Sequence, residues 1–105
     1  MVKHIIIWKF KDEIENKAQV AQDIKSALEG LVGKIDGLAE MHILTNGFSS
    51  STGDLMMDST FESQAALESY QKHPLHQEIA NGLVRPSMQS RAAFDYEGER
   101  DNEHD

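Results

Sequence analysis

The stretch QAALESYQKHPLHQEIANGLV, residues 64–84, decides the fold. Its first nine residues read as a helix, with Leu67 and Tyr70 three apart on one face. Ser63, just before them, is a good N-cap. Pro74 cannot continue that helix, yet it can open another at its first position. From Pro74 to about Val84, Leu75, Ile79 and Leu83 share a face. The second piece is expected to stop before Pro86, because a residue preceding proline, here Arg85, is pushed out of helical geometry. The stretch is therefore a broken helix, and the fold follows from what flanks it.

Upstream lie two extended runs, residues 38–46 (LAEMHILTN) and 54–62 (DLMMDSTFE), joined by the polar loop GFSSSTG. A glycine-bounded loop between two such runs predicts an antiparallel hairpin. Downstream, residues 89–96 (QSRAAFDY) read as a last strand. At the other end of the chain, residues 4–10 (HIIIWKF) are β-branched and aromatic, and form a first strand. Then Ala21, Ile24, Leu28, Leu31 and Ile35 recur at helical spacing, and Gly33 and Gly37 supply stop signals. A helix over about 15–33 is expected.

The order is βαββαβ, an α+β chain of the ferredoxin-like, split βαβ kind with an antiparallel four-stranded sheet. Helices then cover one face of the sheet. On the first strand His4, Ile6, Trp8 and Phe10 point one way, and Lys3, Ile5, Ile7 and Lys9 the other. Large apolar residues on both faces predict burial on both, with a second copy of the chain as the natural lid. A homodimer is the expected partner state.

At 105 residues the chain is one domain with a modest core. It has no cysteine, which excludes disulfides, thiolate catalysis and cysteine-ligated metals. The N-terminal apolar run is too short to cross a membrane, so a cytoplasmic location is expected. Of the net charge of −8, half falls on residues 97–105 (EGERDNEHD), with five acids against one arginine. Residues 98–105 are read as an acidic, disordered tail beyond a domain at 1–97. No basic stripe stands anywhere, which argues against nucleic acid and anionic membrane surfaces.

The histidines carry the chemistry. His73 falls near an N-cap and His76 in the first turn of the second helical piece, where the helix dipole disfavours an imidazolium. A neutral His76 can act as a general base, and Tyr70 one turn before the break can offer a phenol hydrogen bond nearby. His4 on the first strand can face the same helices. The plainer alternative is that these histidines satisfy backbone groups and Tyr70 is a core residue. A metal site from His73, His76, Glu78 and His4 is disfavoured: the proline breaks the single helical face that histidine pairs use, and no carboxylate cluster completes the set. No metal and no cofactor are expected. Met56 and Met57 suit an adaptable wall of a pocket or core.

VKHIIIWKFK, TFES, LESYQKHPLHQ and VRPSMQSRAAFDYE, in that order over residues 1–97, resemble the stress-responsive dimeric α/β-barrel (Dabb) family. The resemblance implies a dimer whose two sheets form a barrel, with a pocket between each sheet and its helices. Some plant relatives are polyketide cyclases of the olivetolic acid type that close a linear chain by an intramolecular aldol reaction. By that likeness His76 and Tyr70 act in the pocket with His4 nearby, and Ile6, Trp8, Met57, His73 and Ile79 contact a small hydrophobic ligand. Ala92 and Ala93 are smaller than the residues in cyclase-type relatives, and Trp8 takes up pocket space. Three functions follow as expectations. The first is a ligand-binding dimer with cyclase-like acid–base activity; the second a non-enzymatic dimer serving stress tolerance; the third a cofactor-free quinol monooxygenase.

Overall fold

A computed structural model describes residues 1–98. The elements run β1 (Val2–Phe10), α1 (Lys17–Glu29), β2 (Leu38–Leu44), β3 (Leu55–Phe61), α2 (Gln64–Lys72), α3 (Pro74–Ile79), a π-helical turn (Ala80–Val84), α4 (Arg85–Ser87) and β4 (Met88–Glu97). All strand pairs are antiparallel, in the order β2-β3-β1-β4. This is the expected ferredoxin-like arrangement, with β1 and β3 central and β2 and β4 at the edges.

The core lies between the sheet and the helices. Val2, His4, Ile6, Trp8 and Phe10 of β1 are buried against Ile24 and Leu28 of α1 and Leu67 and Tyr70 of α2. Leu31 and Ile35 extend the stripe of α1, but α1 itself stops at Glu29 instead of reaching residue 33. The chain tightens into turns there, with Leu31 N–H on the Leu28 carbonyl and Lys34 N–H on that of Leu31. Gly33 at φ 89° and Gly37 at φ 86° complete the reversal into β2. Edge strand β2 is tied to α1 by Glu29, whose carboxylate accepts from the Ile43 N–H (2.9 Å) and from Lys25 (2.7 Å). An edge amide is thereby capped instead of left open for pairing.

Within one chain β1 is buried on a single face: Ile7 is 45% exposed, and Leu44, Phe94 and Tyr96 also stand open. The register aligns Ile5 with Phe94 and Lys3 with Tyr96, so these residues share the face away from the helices.

One expectation is corrected here: the helical path does not stop before Pro86. Arg85 keeps helical angles (φ −57°, ψ −42°), and its N–H reaches back five residues to the Ala80 carbonyl. The widened turn accommodates the proline that a regular helix would reject. Ser87 then closes the segment with its hydroxyl on the Leu83 carbonyl (3.1 Å). The tail expected over 98–105 falls, from residue 99 onward, outside the described residues. No helix among those described is long and apolar enough to cross a membrane.

Candidate functional site

The site begins with the break at Pro74. His73 takes extended angles (φ −67°, ψ 135°), as a residue before proline must, and ends α2. It also caps α3, its Nδ1 accepting the Leu75 N–H at 3.1 Å. In an unbroken helix that N–H would have bonded to the Gln71 carbonyl four residues back. The carbonyl is therefore free for other donors, and the side chains of His76 (Nδ1, 3.3 Å) and Gln77 take it. A carbonyl only accepts, so Nδ1 of the neutral ring carries the hydrogen and Nε2 the lone pair. Nε2 has no protein partner among the described residues. The HPLH pattern is thus both a helix junction and a device for orienting His76.

Four rings run in sequence from sheet to helix. His4 and Phe61 meet edge-on at 6.2 Å, Phe61 and Tyr70 lie 4.9 Å apart, and Tyr70 and His76 lie 4.2 Å apart at 40°. Tyr70 is 1% exposed, and its hydroxyl has no hydrogen-bond partner among the described residues. Burial pushes that phenol well above its ordinary range, so it stays a neutral donor. The His76 pKa is lowered from 6.5 chiefly by burial; the Gln71 carbonyl opposes this, and the nearby charges of Arg85, His4 and Arg91 add to the lowering. The neutrality expected from the helix dipole is present, but desolvation is its main cause. His4 is buried, with its Nδ1 on the Asp95 carboxylate and its carbonyl accepting from Ser59 Oγ (2.7 Å).

Tyr70 and His76 line a cavity of about 560 Å³ between sheet and helices. His4, Ile6, Trp8 and Met57 line it too, so six of the eight residues expected at a pocket are gathered there. His73 and Ile79 are not among them. His73 is spent on the Leu75 N–H, and Ile79 packs on the core. Trp8 shapes a wall without closing the space.

Sequence reasoning missed Gln71, Gln77, Arg85 and Arg91, which also line the cavity. Arg85 was read as a helix terminator, but the π turn stacks it over Ala80 and brings it in beside Val84. Arg91 could have been found by extending the alternation of β1 across to its register partner, since it stands opposite Trp8. No group of three or more His, Asp or Glu able to hold a metal stands among the described residues.

Sheet, one-sided helical layer and the half-open pocket between them define a ferredoxin-like subunit. The chain belongs to the Dabb family, the stress responsive A/B barrel domain, whose pattern it matches over residues 2–98. A dimeric ferredoxin-like protein of unknown function from Bacteroides fragilis is 28% identical, with a TM-score of 0.83 over 92% of this chain and 95% of that one. The Arabidopsis thaliana protein At3g17210 is 24% identical, with a TM-score of 0.78 over 95% and 97%. A hydroxynitrile lyase from Passiflora edulis is 19% identical, with a TM-score of 0.75 over 90% of each chain. The last two likenesses are of fold alone. No curated protein matches the chain by sequence.

Proposed function

We propose that the protein is a homodimer that binds a small, largely apolar carbonyl compound in the cavity and moves a proton next to that carbonyl. The observation that carries this reading is the Tyr70 hydroxyl, buried at the cavity without a partner beside an imidazole held neutral. Burying a hydroxyl without a hydrogen bond costs about 1–3 kcal/mol. A ligand carbonyl repays that cost by accepting from it.

The roles follow from the protonation states. His76 Nε2 takes a proton from the carbon beside the carbonyl, while the Gln71 carbonyl fixes the ring through Nδ1. The Tyr70 phenol donates to the oxygen as negative charge develops on it. His4, held by Asp95, closes the polar end, and Ile6, Trp8 and Met57 grip the apolar body. A proton abstraction of this kind is the first half of an aldol closure, the cyclase-like step.

The dimer rests on the open sheet face with Ile7, Leu44, Phe94 and Tyr96, and on solved neighbours described as dimeric. A cytoplasmic setting and a part in stress tolerance agree with the absence of cysteine and with the family's description.

Calorimetric titration with 2-acetylnaphthalene, a flat apolar ketone, tests the pocket. Wild type binds it, and Tyr70→Phe binds it about tenfold more weakly, the worth of one well-placed hydrogen bond. Equal affinity in both proteins would remove Tyr70 from the reading.

A further inference from the structure

The cavity also has two basic side chains in its lining. Arg85 and Arg91, on the π turn's far side and on β4, both line it, and no Asp or Glu does. The chain as a whole carries −8. Among the described residues neither guanidinium is paired with a carboxylate: Arg85 donates only to the Asn81 side chain, and Asp95, the acid nearest on β4, is engaged by His4. Both arginines line the same cavity as His76 and lie within electrostatic reach of its ring. Two guanidiniums without a carboxylate partner among the described residues, at a partly polar cavity of an acidic protein, form a local positive field that draws in an anion.

We propose that the ligand is an organic acid, with its carboxylate held by Arg85 and Arg91 and its carbonyl or hydroxyl group at Tyr70 and His76. The assignment rests on the pocket reading above and adds the chemical class of the ligand to it. Guanidinium matches carboxylate through two parallel hydrogen bonds, which a lone ammonium cannot reproduce. The orphaned Tyr70 hydroxyl supplies an independent sign that the same cavity is built for a polar ligand group. An acid anchored by its carboxylate presents the rest of the molecule to His76 in a fixed orientation, which is what a selective proton transfer needs.

The test is calorimetric titration with two matched probes, naphthalene-2-carboxylate and naphthalene-2-carboxamide, on the full-length protein. The acid is expected to bind at least about tenfold more tightly than the amide, as a charge-assisted pair does. In the double variant Arg85→Gln/Arg91→Gln the advantage of the acid over the amide disappears. The Arg85→Lys/Arg91→Lys variant keeps part of the advantage, and added salt weakens the acid alone. Both side chains are exposed, so these variants should unfold at the wild-type temperature.

Equal binding of acid and amide by wild type, or a preference that survives in the glutamine variant, would overturn the anion assignment and leave the pocket reading standing. Binding of neither probe would overturn both.

Discussion

The rings of Tyr70 and His76 lie 4.2 Å apart at 40°, yet no hydrogen bond joins them, and the buried phenol is unpaired among the described residues. The two groups touch through their faces and leave their polar atoms for a third party. A helix that ran straight through residue 74 would not produce this. Pro74 frees the Gln71 carbonyl, the carbonyl turns His76, and the turned ring stacks on Tyr70.

Because the Tyr70 hydroxyl is desolvated without compensation, Tyr70→Phe should make the unliganded protein more stable, by about 1 kcal/mol. Urea unfolding of the two proteins at equal concentration measures this. A loss of stability instead would mean that the hydroxyl has a partner in solution.

His76 sets a pH dependence with a definite sign. The unfolded chain takes up a proton at the ordinary value of 6.5, while the folded ring resists until lower pH. Its contribution to stability is therefore full above 6.5 and is lost as pH falls below that value and through the folded pKa. His76→Gln should flatten this part of the profile, and the acidic limb of any base-dependent activity should lie below 6.5. A ring titration by NMR at or above the ordinary value would contradict both.

His73 is a capping residue, so its removal should cost stability and leave binding alone. His73→Ala is expected to lose about 1 kcal/mol, and His73→Asn to recover most of it. A drop in 2-acetylnaphthalene affinity that asparagine fails to restore would return His73 to the pocket.

Gly37 sits at φ 86°, and a Cβ there would stand 2.5 Å from Ala66 Cβ. Gly37→Ala should therefore destabilise by about 1–3 kcal/mol through backbone strain and the clash with α2. Thermal unfolding checks it, with Gly82→Ala as a control, since nothing lies within 4 Å of a Cβ at that position.

Periodicity made the element order legible, because the period-two run of β1 and the stripe from Ala21 to Ile35 are each set by burial against one core. It overstated α1 because Leu31 and Ile35 stay buried after the helix has ended, and burial is what the pattern records. The polar end of the cavity was legible in HPLH, whose consequences are local. The two arginines of its lining were not. Arg85 depends on a π turn that leaves no mark in the spacing, and Arg91 on a register between strands distant in sequence. The open face of β1 was legible as a face for a second copy, because Ile5 and Ile7 are too apolar for a strand face left to water.

The central claim is that His76 removes a proton beside a bound carbonyl. The most direct measurement is exchange of the methyl hydrogens of 2-acetylnaphthalene in deuterium oxide, followed by NMR with wild type and His76→Gln at equal concentration. Wild type should accelerate the exchange over buffer, and the variant should lose about a hundredfold or more of that acceleration while still binding the ketone. Binding without acceleration, or acceleration that survives in His76→Gln, would contradict the account and leave a pocket that holds its ligand without acting on it.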